Sequence, residues 1–317
     1  MLAWSARRLA GAVVLVVLVA LGSALVAQLV PGDARDLLAE GTRRGASARA
    51  PDPAASPWRW LAGAARGDLG QSLKYRQPVA ALIAERIPRT LALTVSGVAI
   101  QLLVGLGAGL VLAARRGKWY DGPLSSTLYV LDAVPAFWLG IMLILVFAVQ
   151  LGWLPISGTT GDPFAERTLF EELAERARHL VLPALTLGLG GAAVIARFLR
   201  NSLLDALSSG FVLAARAEGI PERRVVLRSA FRASLLPLIT IFGLSFPGLL
   251  GGAVIVERVF GWPGIGDLAA DAVFSRDVPV IMGTNLMFAV LVVAGNLVAD
   301  ALYAAADPRI RLGRSER

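Results

Sequence analysis

Six apolar runs divide the chain, at about Leu9–Val30, Thr90–Ala114, Leu124–Leu151, Leu180–Leu199, Leu235–Val256 and Val280–Ala306. Each has roughly the 20 residues that an α-helix needs to cross a hydrocarbon core about 30 Å thick. The pattern therefore predicts an all-α, polytopic membrane protein with six transmembrane helices. Pro135 lies inside the third run and predicts a break or kink there, while Pro183 stands near the start of the fourth. The first run exceeds the ~7–15 apolar residues of a signal peptide and reads as an uncleaved anchor, residues 1–30. Two long polar segments remain, residues 31–89 and a basic stretch at about 204–237.

Composition agrees with a membrane protein: 56% hydrophobic residues, 17% charged and a mean hydropathy of +0.65 lie far from a soluble average. The absence of cysteine excludes disulfides and thiolate metal sites. A formal net charge of +8 could suit nucleic acid, but the bases are spread over loops and no basic patch interleaved with aromatics occurs. Their distribution sets an orientation instead. Arg7, Arg8, Arg115, Arg116, Lys118, the Arg197–Arg232 cluster and the Arg309–Arg317 tail fall on one side. The positive-inside rule makes that side cytoplasmic, with both termini inside and residues 31–89 extracytoplasmic. Arg86 and Arg89, beside the second span, run against the rule.

The basic stretch reads as two short helices. The first carries Ala214, Ala215 and Ala217 and ends at Gly219, a residue that tolerates positive φ. Pro221 and Glu222 suit the start of the second. There Val225, Leu227, Phe231 and Leu235 are apolar, and Arg224, Arg228 and Arg232 recur every four residues. Two readings fit: a surface that docks a protein, or an interfacial helix whose arginines lie among anionic headgroups.

Candidate chemistry is sparse. His179 is the only histidine, at the outer start of the fourth span, and reads as structural. No nucleophile elbow, zinc motif or phosphate-binding loop is present, so no catalytic, cofactor or metal residue is assigned and any ATP site must belong to another subunit. Asp132 lies within the third run, either facing a solute path or reaching back to the interface. The segment from Val256 to Gly266 is dense in Gly and Pro, as a tight, protein-buried turn would be.

Several motifs carry a resemblance. Phe211-Val212, Ala215-Arg216-Ala217, Gly219, Arg223-Arg224 and Leu236-Pro237 resemble the cytoplasmic EAA loop of binding-protein-dependent ABC importers, in the form found in the peptide/nickel permease family. Phe211 stands in place of that loop's Tyr, and Leu213 in place of its Glu. Pro31-Gly32-Asp33, Trp58-Arg59-Trp60-Leu61, Arg66-Gly67-Asp68-Leu69-Gly70 with Ser72, and Pro135-x-Phe137-Trp138-Leu139-Gly140 are similar to further family motifs. So are Val256-Glu257-x-Val259-Phe260 with Pro263-Gly264-x-Gly266, and Asn296-x-x-x-Asp300-x-x-Tyr303 with Asp307-Pro308-Arg309.

The resemblance is to the first, B-type permease of a dipeptide- or oligopeptide-type importer. It implies a type I ABC importer permease fold, with residues 90–317 as the transmembrane domain in an inner membrane. It further implies ATPase coupling through Phe211, Ala214, Ala215, Arg216, Ala217 and Gly219. Glu257, Pro263, Gly264 and Gly266 would act in an extracytoplasmic gate or in packing. Asn296 and Asp300 would pack helices. The implied partners are a second permease, two ATP-binding subunits and an extracytoplasmic solute-binding protein, besides membrane lipids. The solute is left open among dipeptides, oligopeptides, nickel and glutathione. The alternative, an ion- or proton-coupled secondary transporter, would call for repeat symmetry and paired intramembrane ionisable residues; Asp132 is the one candidate and no repeat is evident.

Overall fold

The computed structural model describes residues 2–29, 57–114, 117–160 and 168–306. The Pro31-Gly32-Asp33 and Asp307-Pro308-Arg309 motifs, Arg115, Arg116, Arg167 and the 34–56 segment lie outside the described residues. In chain order the helices are α1 (Leu2–Leu29), α2 (Pro57–Ala64), α3 (Val79–Ala114), α4 (Asp121–Ala133), α5 (Ala136–Leu143), α6 (Leu169–Leu207), α7 (Gly210–Ala217), the single turn α8 (Glu222–Arg224), α9 (Phe231–Phe260), α10 (Ile265–Phe274) and α11 (Val278–Ala306). Wider π-helical turns follow α5 at Ile144–Gln150 and α8 at Val225–Ala230. The described residues contain no strand, only a bridge between Gln71 and Pro78.

Among the described residues the six predicted apolar runs lie mostly in helical backbone, but their limits and shapes differ from expectation. Among the described residues, α3, α6 and Val278–Ala301 of α11 are long and apolar enough to cross a membrane, and the α4–α5 pair makes a fourth if counted as one span. The kink expected at Pro135 is a full break, with the two helices bent by 108°. A proline ring disfavours α geometry in the residue before it, and here Val134 is extended at φ −77°, ψ 127°. Helix α3 begins eleven residues before the predicted Thr90, inside the segment read as loop. Val79, Leu82, Ile83 and Ile87 form a helical stripe there, while Glu85, Arg86 and Arg89 depress the hydropathy that marks a span. Helix α6 likewise starts well before Leu180. Thr168 and Glu171 close a capping box, each side chain bonding the other's backbone N–H. Pro183 therefore sits within the helix and does not introduce it.

The chain forms two compact units, Met1–Leu91 with Gly261–Ala294, and Ala92–Phe260 with Gly295–Arg317. In the first, Trp60, Leu69, Val79, Ile83, Ile265, Leu268 and Met282 make the core. The Arg66–Gly70 element is a turn, as read from the sequence: the Gly70 N–H donates to Asp68 Oδ1 at 3.0 Å. The residues after it are tied down by two carboxylates. Ser72 Oγ donates to Asp277 Oδ2 at 2.5 Å and the Lys74 N–H to the same oxygen at 3.1 Å. Tyr75 Oη and Lys74 Nζ donate to Asp271 Oδ2 at 2.7 and 2.6 Å. Burial and the Asp271 hydrogen bond raise the Tyr75 pKa above its usual value.

In the second unit α3 and α6 cross at backbone distance. A Cβ built on Gly188 would stand 2.6 Å from the Gly97 carbonyl oxygen, and one on Gly105 would stand 2.9 Å from that of Ala192. Gly105 and Gly109 have the small-xxx-small spacing that permits such crossings. The remaining core of this unit gathers Leu112, Leu128, Ala193 and Ala196 in one cluster, and Ile195, Leu199 and Leu238 in another.

Candidate functional site

The basic stretch folds as one short helix and a sharp turn, as the sequence predicts, but the expected second short helix is instead the beginning of a helical stretch that runs unbroken from Glu222 through the π turns into α9. Helix α7 buries Val212 completely and half-buries Ala215 against Ala113, Leu203, Val225 and Ala230. Its opposite face is open: Phe211 is 50% and Leu213 58% exposed, and Ala214, Arg216 and Ala217 are exposed beside them. Ala215 thus parts company with the other coupling candidates, since it packs inward.

Gly219 ends the helix in the left-handed region, at φ +77°. The Ile220 N–H donates to the Ala215 carbonyl at 3.1 Å and the Gly219 N–H to that of Arg216 at 3.0 Å. This pair of bonds is a Schellman motif, completed by Ile220 and Ala215 meeting in the same apolar cluster. Pro221 then sits as the cap of α8, one place before the first turn expected for it. Across the turn Arg216 grips Glu222 with two bonds, Nε–Oε2 at 3.1 Å and Nη2–Oε1 at 2.7 Å. The hydrogen bond to Glu222 raises the Arg216 pKa, and the reciprocal bond lowers that of Glu222. A lowered carboxylate pKa means the pair's contribution is full above the ordinary carboxylate range and fades as pH falls through the lowered value. Both groups are fully exposed, so salt screens the pair.

Beyond the turn, Val225 and Ala230 are buried and Arg223, Arg224, Arg228 and Arg232 are exposed. With Pro221 and Leu227 these arginines line an open cavity of about 490 Å³.

Asp132 is not a lone carboxylate. Arg197 Nη2 donates to its Oδ2 at 2.6 Å, and the Arg197 guanidinium lies 5.0 Å from the centre of the Tyr129 ring. One helical turn further along α6, Arg200 bonds Asp121 at 3.0 Å and Ser125 at 3.3 Å. These two rungs join α4 to α6, and neither is legible in the sequence because the partners lie far apart in the chain. The Asp132 pair, about two-thirds shielded on each side, is expected to show about 1 kcal/mol of coupling in a double-mutant cycle of thermal stability with Asp132→Asn and Arg197→Gln. Unchanged stability with altered uptake in Asp132→Asn would instead assign Asp132 to the solute path.

Residues 261–264 of the Gly- and Pro-rich segment form a tight turn before α10, with Trp262 and Gly264 buried. In the second unit Glu257 is fully buried near the end of α9. In the first, Pro263 is half-buried, Gly264 caps α10, and Gly266 is buried within that helix. The Ile265 N–H donates to Thr90 Oγ1 at 2.8 Å and Trp262 Nε1 to the Arg89 carbonyl at 3.0 Å, so this segment is pinned to α3. His179 is buried, with Nδ1 3.0 Å from the Glu175 carbonyl oxygen, in keeping with a structural role. Asn296 and Asp300 are half-buried on α11.

Comparison with known proteins bears on this arrangement. The family described as "Binding-protein-dependent transport system inner membrane component" matches residues 105–312, a span that includes α7 and the arginine-lined cavity. The oligopeptide transport system permease protein AppB of Bacillus subtilis (strain 168) is 42% identical over 253 residues, 80% of this chain and 78% of that protein. The glutathione transport system permease protein GsiC of Escherichia coli (strain K12) is 43% identical over 255 residues, again 80% and 78% of the two chains. Among solved structures, a chain from inward-facing conformations of the MetNI methionine ABC transporter is similar in fold, with a TM-score of 0.56 at 21% identity, over 71% of this chain and 96% of that one.

Proposed function

Since the chain belongs to the binding-protein-dependent transport system inner membrane component family, we propose that it is the permease subunit of an ABC importer for peptides or glutathione-type solutes. The identity of 42–43% to oligopeptide and glutathione permeases over most of both chains carries this reading. In it, the chain spans an inner membrane six times with both termini cytoplasmic. It pairs with a second permease and with two ATP-binding subunits, and receives solute from a binding protein outside.

The exposed face of α7 is the surface on which an ATPase subunit docks. Phe211, Ala214, Arg216 and Ala217 make the contact, while Ala215 and Gly219 hold the helix in shape. Small side chains let a partner's backbone come close, and the Schellman turn fixes the direction in which the helix leaves. Movement of the ATPase pair is thereby passed to α6 and α9, which flank the loop. Glu257, Pro263, Gly264 and Gly266 brace the extracytoplasmic end of α9 and the start of α10.

Uptake tests the function. Cells lacking the chain should lose accumulation of labelled dipeptide, oligopeptide or glutathione, and restoring the chain should return it in proportion to cellular ATP. Uptake that persists without ATP and collapses with the proton gradient would contradict an ABC importer. Orientation has its own test, since cysteines can be placed in a chain that has none. A cysteine at Gln71 should react with an impermeant thiol reagent in intact cells, whereas one at Ser208 should react only after lysis. The reverse pattern would invert the topology.

A further inference from the structure

We propose that the cavity lined by Arg223, Arg224, Arg228 and Arg232 holds the phosphate headgroup of an anionic phospholipid from the inner leaflet. The proposal rests on the reading above only for the side of the membrane on which the loop lies. Four arginines line one open cavity of about 490 Å³, and among the described residues none of them forms an ion pair. Glu222, their acidic neighbour in sequence, is engaged by Arg216. Guanidinium is the planar donor best matched to phosphate oxygens.

The backbone helps to align these groups. Residues four apart overshoot one turn of an α-helix and so drift round its surface. The wider π turns at Val225–Ala230 turn less per residue and offset part of that drift between Arg224 and Arg232. A single π turn inside an α-helix often marks a functional position.

Position favours lipid over a protein partner. Arg232 stands three residues before Leu235, where the fifth apolar run begins, so the stripe leads straight into a spanning helix. A basic cluster at that place is the usual signature of anionic headgroup recognition. Pro221 and Leu227 give the cavity apolar walls, and Leu227 is 42% exposed, as a site against the glycerol backbone and upper acyl chains requires. No residue of α7 lines the cavity, so lipid and ATPase would occupy separate surfaces of the loop.

The chain, purified in mild detergent with whatever subunits accompany it, is titrated with dioleoylphosphatidylglycerol or dioleoylphosphatidylcholine and followed by native mass spectrometry. The phosphatidylglycerol adduct should dominate. R224A/R228A should weaken it about thirtyfold, from roughly 1 kcal/mol for each arginine at an anionic surface. R66A/R76A, which removes two exposed arginines elsewhere, should leave it unchanged. Equal binding of phosphatidylcholine, or equal loss in R66A/R76A, would overturn the proposal. Displacement of phosphatidylglycerol by inorganic phosphate would make this a free-phosphate site and overturn the lipid assignment. If R224A/R228A shed an ATPase subunit and kept phosphatidylglycerol, the cavity would be a protein contact and the proposal would fail. Failure of the permease reading looks different: no ATPase accompanies the wild-type chain, and the lipid titration still gives its answer.

Discussion

Gly188→Val prevents the folded chain from accumulating. Its new Cβ would lie 2.6 Å from the Gly97 carbonyl oxygen and 2.8 Å from Ile100 Cβ, and neither of these atoms is the free end of a flexible side chain. The helices must part, and the losses spread along the crossing to Gly105 and Gly109, where equally close approaches follow. Overpacking a tight core usually costs about 1–3 kcal/mol, and an obstruction by a backbone carbonyl and a β-branched Cβ belongs at or beyond the top of that range. Gly190→Val is the control: it sits on the same helix, carries the same propensity change and meets nothing within 4 Å. Abundance in membranes and melting temperature in detergent should fall sharply for Gly188→Val and little for Gly190→Val. If the two variants melt alike, the close crossing of α3 and α6 is wrong.

Ala214→Glu abolishes uptake in a chain that still folds. Ala214 is on the open face of α7 and its replacement touches no core residue, so abundance and melting should match the wild type. A bulky charge in a close interface should cost the ATPase contact several kcal/mol and reduce uptake at least tenfold. Gly219→Val should give a similar loss by another route. Its surroundings are empty, so the cost is backbone alone: a β-branched residue is strained at φ +77°, and the Schellman turn that aims α7 relaxes. Ala215→Glu is a poor probe of docking, because Ala215 packs inward and the variant would damage the loop itself. Retention of ATPase and full uptake in both Ala214→Glu and Gly219→Val would remove α7 as the coupling surface.

Which features the sequence disclosed follows from the range of the forces involved. Spans and the α7 turn are local: hydropathy reports the first, and a glycine two residues before a proline reports the second. The orientation of α7 was not disclosed, because three alanines in one turn mark no side as apolar and only the fold shows that Ala215 faces Val225. The first turns of α3 and α6 were hidden by charged residues, Glu85, Arg86 and Arg89 in one and Glu171, Glu172, Glu175, Arg176 and Arg178 in the other, which lower the hydropathy there. The break at Pro135 was visible as a position but not as an angle of 108°, since a proline only marks where a helix can fail, and Pro88 and Pro183 sit inside continuous helices. Long-range polar pairs left no trace at all. Arg197 meets Asp132 across 65 positions, and Ser72 meets Asp277 across 205. Nothing in a single chain's periodicity links residues so far apart.

Affinity purification from membranes in mild detergent is the decisive measurement, because a permease subunit of an ABC importer draws its energy from a separate ATP-binding subunit. An ATP-binding subunit and a second, related permease should be recovered with the chain, and Ala214→Glu should release the ATPase while keeping the permease partner. Recovery of the chain alone, active in uptake after reconstitution without any ATPase, would contradict the permease reading.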